Sequence, residues 1–228
     1  EWVELTSRAS SDQIGVAYSD ANDDVSAYRW SGTAIGDEAT AAITTGATTG
    51  NVRKVDVSFE GASGDMFVAS PLNAAGTVAY GTLVNTTWTI TTATGVDVIT
   101  GFIDLQEPNP SDNDIGISTH GVAGTTFSEG FGWTGSGISD ANVGDDNLQG
   151  WFANYQESAI SYFSSTYYSV AVISNSAATD DIDWWTMNSS SAITDQTINT
   201  RTRGAIRFID LFDYPNADKV LLLSGDAN

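Results

Sequence analysis

Three carboxylates, Glu4, Asp56 and Asp104, fall at matching places in the alternating stretches WVELTSRA (2–9), RKVDVSFEG (53–61) and GFIDLQE (101–107). Glycoside hydrolysis needs only two acids at a fixed separation, one to protonate the leaving group and one to act as base or nucleophile. These three are the acids that a carbohydrate-active protein could use as its pair. A sialidase-like version would also carry an arginine cluster and S-x-D-x-G-x-T-W boxes, but the chain has six arginines and only the echo SGDMF (63–67). His120 is the sole histidine, at the end of an apolar strand, and no G-x-S-x-G elbow supplies a nucleophile, so it reads as a turn residue. No catalytic residue is assigned from the sequence.

Oxygen-rich loops are the next chemistry, because calcium takes six to eight oxygen ligands. SDANDD (19–24), NPSDND (109–114) and DANVGDDN (140–147) supply Asp20, Asn22, Asp24, Asp112, Asp114, Asp145 and Asp146 as candidate ligands. None of the three matches the EF-hand loop: after Asp20, Asn22 and Asp24 both the glycine and the terminal glutamate are missing. Asp and Asn also suit tight turns for backbone reasons alone. Calcium is thus the one cofactor the residues admit, and the reading without it is a set of hairpin turns. The stretch SAISYFSSTYY (158–168) reads as an aromatic insertion, with Tyr162, Phe163 and Tyr167 as a binding surface or a cap on the adjacent hydrophobic face. Asn85 and Asn188 open N-x-[ST] sequences at equivalent turns and are candidate glycosylation sites.

The elements that would position these residues repeat. Ile14, Met66, Ile115, Val170 and Val220 align at separations of 52, 49, 55 and 50 residues. Each unit holds four short segments joined by Gly, Asn, Asp and Ser turns, which reads as a four-stranded antiparallel meander. The first segment of the fourth unit is read as GWFANYQE (150–157). Trp30, Trp133 and Trp185, with Val84 in the second unit, recur at the end of the third segment and read as packing residues between units. One meander has two faces and cannot bury both alone, so the units must stack around an axis, as the blades of a β-propeller do. The expected fold is one all-β propeller domain over 1–228, with repeats 1–50, 51–99, 100–148 and 149–204 and a half repeat 205–228.

Strand, Asp-rich turn, YRWSG (28–32) or FGWTG (131–135), and then a unit opening VDVSFEGASGDMFV (55–68) resemble the propeller-type repeats of large secreted or surface proteins of bacteria and archaea. The resemblance implies architecture and an extracellular setting, not a reaction. The expected function is a non-enzymatic extracellular binding or structural module of a surface or filament assembly, with a protein or glycan partner. The alternatives are a glycosidase-like propeller and a calcium-dependent adhesion domain. The fifth unit stops after KVLLLSG (219–225), which would leave an unpaired apolar edge. Either a continuing chain or a neighbouring subunit is expected to complete it, the latter being a route to self-assembly through the C-terminal edge strand. The chain opens at Glu1 without a signal-peptide pattern, as a processed or excerpted product would.

Composition narrows the partners. Twenty-nine acidic residues against eight basic ones give a formal charge of −21, which repels phosphate backbones and anionic membranes. No run approaches the roughly 18 apolar residues of a membrane span, and with no cysteine neither a disulfide nor a thiolate metal site can form. Self-repulsion on this scale predicts that the melting temperature rises as sodium chloride is raised from about 10 mM to 1 M. A flat melting curve over that range would remove the electrostatic argument.

Overall fold

The computed structural model describes residues 2–39, 42–45, 53–72, 77–94, 100–106, 112–121, 128–139, 158–164, 167–173, 182–187, 193–195, 206–213 and 220–226. Among these residues every regular element is a β-strand. The all-β reading therefore holds. Sheet 1 comprises β1 (Trp2–Ser7), β2 (Ile14–Ser19), β3 (Val25–Trp30) and β4 (Ile35–Gly36); sheet 2 comprises β5 (Asp56–Phe59), β6 (Met66–Pro71), β7 (Thr77–Val84) and β8 (Thr87–Thr94). Sheet 3 is β9 (Thr100–Gln106), β10 (Asp114–Gly121), β11 (Ser128–Thr134) and β12 (Ile138–Ser139), and sheet 4 is β13 (Ser158–Ser164), β14 (Tyr167–Ile173), β15 (Ile182–Met187) and β16 (Ile193–Asp195). Sheet 5 pairs β17 (Ile206–Asp213) with β18 (Val220–Asp226). All pairings are antiparallel and follow chain order.

Local chemistry sets these meanders. Successive strands alternate between two faces, and the turns carry residues that accept a left-handed backbone. Gly32 (φ 95°) and Gly135 (φ 77°) occupy the same turn in sheets 1 and 3, each against the β-carbon of a residue before the second strand, Asp12 or Asn113. Sheet 2 has Asn85 (φ 57°) at its equivalent turn, and asparagine tolerates that conformation better than most residues.

The sheets stack face to face, with the first strands β1, β5, β9, β13 and β17 lying against one another in succession. At two interfaces a glycine on the second strand of one sheet admits large residues of the next. Gly15 and Ala17 of sheet 1 receive Val57, Phe59 and Met66 of sheet 2, and Gly116 of sheet 3 lies under Tyr168 and Ile160 of sheet 4. Phe67 stacks between Tyr80 and Trp133, with centroids 5.7 and 5.0 Å away, in the core shared by sheets 2 and 3. A further core, Ala159, Ile182, Ile209 and Leu211, joins sheets 4 and 5.

Packing between sheets corrects the alignment of the fourth unit: Gly15 lies under Met66 and Val57, and Gly116 under Tyr168 and Ile160, so Tyr168 stands where Met66 does. Ile14 pairs with Trp30, Met66 with Leu83, Ile115 with Trp133 and Tyr168 with Met187. The residue equivalent to Ile14 is therefore Tyr168, not Val170, and the set expected as Trp30, Val84, Trp133 and Trp185 is Trp30, Leu83, Trp133 and Met187. Trp133 and Trp185 are buried, whereas Trp30 is half-buried on the outer face of sheet 1. The aromatic stretch 158–168 is not an insertion: it contains β13 and the start of β14. GWFANYQE lies outside the described residues.

Three substitutions test this packing. A β-carbon on Gly116 would sit 2.6 Å from Tyr168 Cδ1, so Gly116→Ala should lower stability by about 1–3 kcal/mol in denaturant unfolding. Trp133→Ala should cost about 3–5 kcal/mol and Trp30→Ala clearly less. Equal losses at the two tryptophans would contradict the burial pattern.

Candidate functional site

The three first-strand acids meet around one cation. Arg53, just before β5, places Nε 2.9 Å from Glu4 Oε1 and Nη2 2.8 Å from Asp56 Oδ1, and its Nη1 contacts Asp104 Oδ1. One guanidinium thus ties together the first strands of sheets 1, 2 and 3. The same acids reach forward to the next sheet. The Leu105 amide donates to Asp56 Oδ2 at 2.6 Å, and the Ile160 amide donates to Asp104 Oδ2 at 3.1 Å. These amides lie on first strands, whose inward edge pairs with no other strand among the described residues. The carboxylates satisfy donors that would otherwise be buried without a partner. Asp56 Oδ1 also accepts from the Val57 amide at 2.8 Å.

Register shows how regular this device is. Glu4 lies opposite Ala17, Asp56 opposite Ala69, Asp104 opposite Ser118, Ala159 opposite Ala171 and Asp210 opposite Leu223. The fourth sheet alone has alanine at the acidic position. Burial pushes Asp56 up to about 8, with Arg53 opposing and Asp104 and Glu4 adding to the rise. Burial likewise lifts Asp104 to about 6, against the pull of Arg53 and the Ile160 amide. Burial also raises Asp210, opposed by its bond from the Leu211 amide and by Arg53. For Arg53, burial alone would lower the value, but attraction to Asp56, Asp104 and Glu4 outweighs it and holds the guanidinium above its ordinary range. The acids expected as a hydrolytic pair are therefore brought together, but their oxygens are occupied by amides and by Arg53.

A second polar knot lies at the strand-turn corner between sheets 2 and 3. Buried Glu60 accepts from Trp133 Nε1 at 2.6 Å and from Ser63 Oγ at 2.5 Å, and burial raises its carboxyl despite those bonds. Nearby, Arg8 lies across Gly64 and donates to Gln13 Oε1 at 3.0 Å and to the Ser63 carbonyl at 3.2 Å. At the outer side of sheets 1 and 2, Arg29 Nη2 is 2.7 Å from Asp37 Oδ2, and Trp88 Nε1 donates to the Asp37 carbonyl at 2.7 Å. Sequence reasoning missed Arg53 and Glu60. The available signal was that Arg53 and Lys54 form the chain's one adjacent basic pair, directly before an apolar strand.

The other sequence candidates are distributed as follows. Asp20 caps its own turn, accepting from the Asn22 and Asp24 amides at 2.8 and 3.0 Å, and those bonds, Asp24's first, hold its carboxyl below the ordinary range. Asp23, in the same turn, is paired with buried Lys54. Asp112 accepts from the Asp114 amide at 3.2 Å, and its main-chain carbonyl accepts from the Ala62 amide. Among the described residues no three His, Cys, Asp or Glu side chains are grouped as a metal site. Tyr162 is half-buried, edge-on to Tyr168 with centroids 5.9 Å apart. Phe163 and Tyr167 lie on β13 and β14, with side chains outside the described residues. Asn85 is exposed at its hairpin turn, and its carbonyl receives Arg29. His120 lies on β10, one residue before its end. Asp145, Asp146 and Asn188 fall outside the described residues.

No protein-family model matches the chain, and no curated protein matches it in sequence. Solved structures do match in fold. SapL1 lectin, solved with α-methyl fucoside, superposes with a TM-score of 0.58 at 12% identity, covering 99% of this chain and 79% of that one. The Aleuria aurantia lectin, a six-bladed β-propeller described with a novel fucose recognition mode, gives 0.60 at 14% identity, covering 97% and 69%. A mutant of AofleA from Arthrobotrys oligospora gives 0.51 at 11% identity, covering 99% and 60%. At these identities the likeness shows the β-propeller fold alone.

The buried acids predict a pH dependence. An unfolded aspartate loses its proton near about 3.9, whereas folded Asp56 holds its proton up to about 8. The folded state therefore binds more protons across that window, and stability falls as pH rises from about 4 to about 8. Melting temperature should decline from pH 5 to pH 8.5, and Asp56→Asn should flatten that decline while keeping an acceptor for Leu105. Arg53→Met should cost about 3–5 kcal/mol at pH 8, by leaving buried carboxylates uncompensated, and less at pH 5. An Asp56→Asn profile parallel to the parent's would show that the axial acids do not carry the effect.

Proposed function

We propose that the chain is an extracellular, non-enzymatic propeller module that binds carbohydrate. In this reading residues 1–228 form one repeat domain, the four-stranded sheets are blades of about 50 residues and sheet 5 is part of a further blade. The observation that carries it is the fold likeness to fucoside-binding propeller lectins over 97–99% of the chain. The net charge of −21 disfavours anionic partners but not neutral sugars. Among the described residues no helix is long and apolar enough to cross a membrane.

Sugar recognition pairs hydrogen-bonding groups with an aromatic face. Arg8 with Gln13, at the corner of sheets 1 and 2, supplies hydrogen-bonding groups, and on sheet 4 the stretch holding Tyr162, Phe163 and Tyr167 is the separate aromatic candidate. Exposed Asn85 is the glycosylation candidate this setting would use. One observation favours a glycosidase as second reading: Asp56 and Asp104 converge on Arg53 from adjacent first strands, and burial raises both carboxyls. Against it, the amide bonds to both acids leave them little freedom to serve a substrate.

A glycan panel followed by titration with α-methyl fucoside and product analysis separates the readings. Saturable binding without product is expected, weakened tenfold or more by Arg8→Ala with unchanged circular dichroism. Product release abolished by Asp104→Asn would replace the lectin reading with the hydrolase. No binding across the panel would leave a structural role. Millimolar calcium, compared with sodium at equal ionic strength, tests the acidic turns: a selective rise in melting temperature would establish the adhesion alternative.

A further inference from the structure

Every interior sheet buries the same register positions against the sheet before it. Val57, Leu105, Ile160 and Leu211 occupy one such position and are each 9% exposed or less, but their equivalent Leu5 in sheet 1 is 64% exposed. Met66, Ile115 and Tyr168 are at most 2% exposed, but their equivalent Ile14 is 37% exposed. Among the described residues, sheet 1 thus carries the large-residue half of an inter-sheet interface left exposed. The face of sheet 5 away from sheet 4 is exposed as well: Phe212, Leu221 and Leu223 are 47%, 61% and 51% exposed, with Leu221 and Leu223 at the register positions of Gly15 and Ala17. Apolar faces of this kind mark an interaction surface.

We propose that these two faces form one docking slot, and that its occupant is a further antiparallel β-sheet of this same repeat. The internal interfaces specify its chemistry. Toward sheet 1 it presents a second-strand face of the kind formed by Gly15 with Ala17, Phe67 with Ala69 and Gly116 with Ser118. Toward sheet 5 it presents large aliphatic residues, as Val57, Leu105 and Ile160 do. The acidic first-strand position extends the match, since Asp210 stands where Asp56 and Asp104 each accept an amide from the following first strand. Asp210 is therefore set to accept the amide of the incoming first strand. A second whole copy is the poorer occupant, because it would bring another −21 against the first, whereas one meander brings a fraction of that charge. The slot follows from sheet packing and does not depend on the carbohydrate reading.

The test compares residues 1–228 with the same chain extended after Asn228 by a duplicate of residues 24–99, which supplies two strands for sheet 5 and then one full sheet. Bis-ANS fluorescence, hydrogen exchange and light scattering at 0.5 M sodium chloride are read on both. Expected for 1–228 is a 24.0 kDa monomer that binds bis-ANS and exchanges β1 and β18 amides quickly. Expected for the extended chain is severalfold less bis-ANS binding and at least tenfold slower exchange at β1, with Leu5→Asp removing the gain at β1. Unchanged β1 exchange, or an extension that stays unfolded on a folded body, overturns the proposal. So does self-association of 1–228 that removes its bis-ANS binding, which would make a second copy the occupant. A 1–228 chain that binds no bis-ANS and protects β1 as well as β5 would show that the faces need no cover.

Discussion

The fold depends on how the inward edge of each sheet's first strand is satisfied. A β-sheet edge exposes amides and carbonyls, and near the axis of a sheet stack those groups are cut off from water. Here a carboxylate on one first strand accepts an amide from the next, Asp56 from Leu105 and Asp104 from Ile160. The device brings negative charge into a buried site, and Arg53 offsets part of it by touching Glu4, Asp56 and Asp104 at once. Buried charge is tolerable only when paired and fully hydrogen-bonded. Arg53 is therefore a structural centre, although it lies outside any strand.

Given that inner seam, the rest of each interface is a matter of volume. Small residues on the second strand of one sheet admit the large residues of the following sheet, as Gly15 admits Val57 and Gly116 admits Tyr168. Polar corners then fix the sheets further from the seam. Glu60 joins the β5–β6 turn to Trp133 of sheet 3, and Arg29, Asp37 and Trp88 join sheets 1 and 2. Two of the chain's eight basic residues, Arg53 and Lys54, are consumed inside the protein by carboxylates. The carboxylates buried with them, Asp56 and Asp104, offset that charge, so the surface keeps essentially the whole acidic excess.

These same constraints bear on function. A hydrolase needs carboxylates with free oxygens facing a substrate, whereas Asp56 and Asp104 spend theirs on strand edges. A binding module needs rigid sheets presenting polar and aromatic side chains at their corners, which the stacked meanders provide. The acidic turns follow a similar logic: Asp20 points its oxygens at the amides of its own turn, and such a turn forms without an ion.

Strand identity, turn positions and the all-β class were legible in the sequence, because alternation and turn residues are local properties of the chain. The meeting of the first-strand acids was legible in outline too, since Glu4, Asp56 and Asp104 recur at one place in the repeat. The register of the fourth unit was not. Tyr168 and Val170 are two residues apart and point to the same face, so a slip of two leaves the hydrophobic pattern intact; the packing of Tyr168 and Ile160 on Gly116, matching that of Met66 and Val57 on Gly15, resolves it. The same ambiguity moved Trp185 into a position that belongs to Met187 and made β13 look like an inserted loop. Arg53 was hidden for a different reason. A basic residue before a strand is ordinarily exposed, and its role arises only when strands distant in sequence surround it with acids.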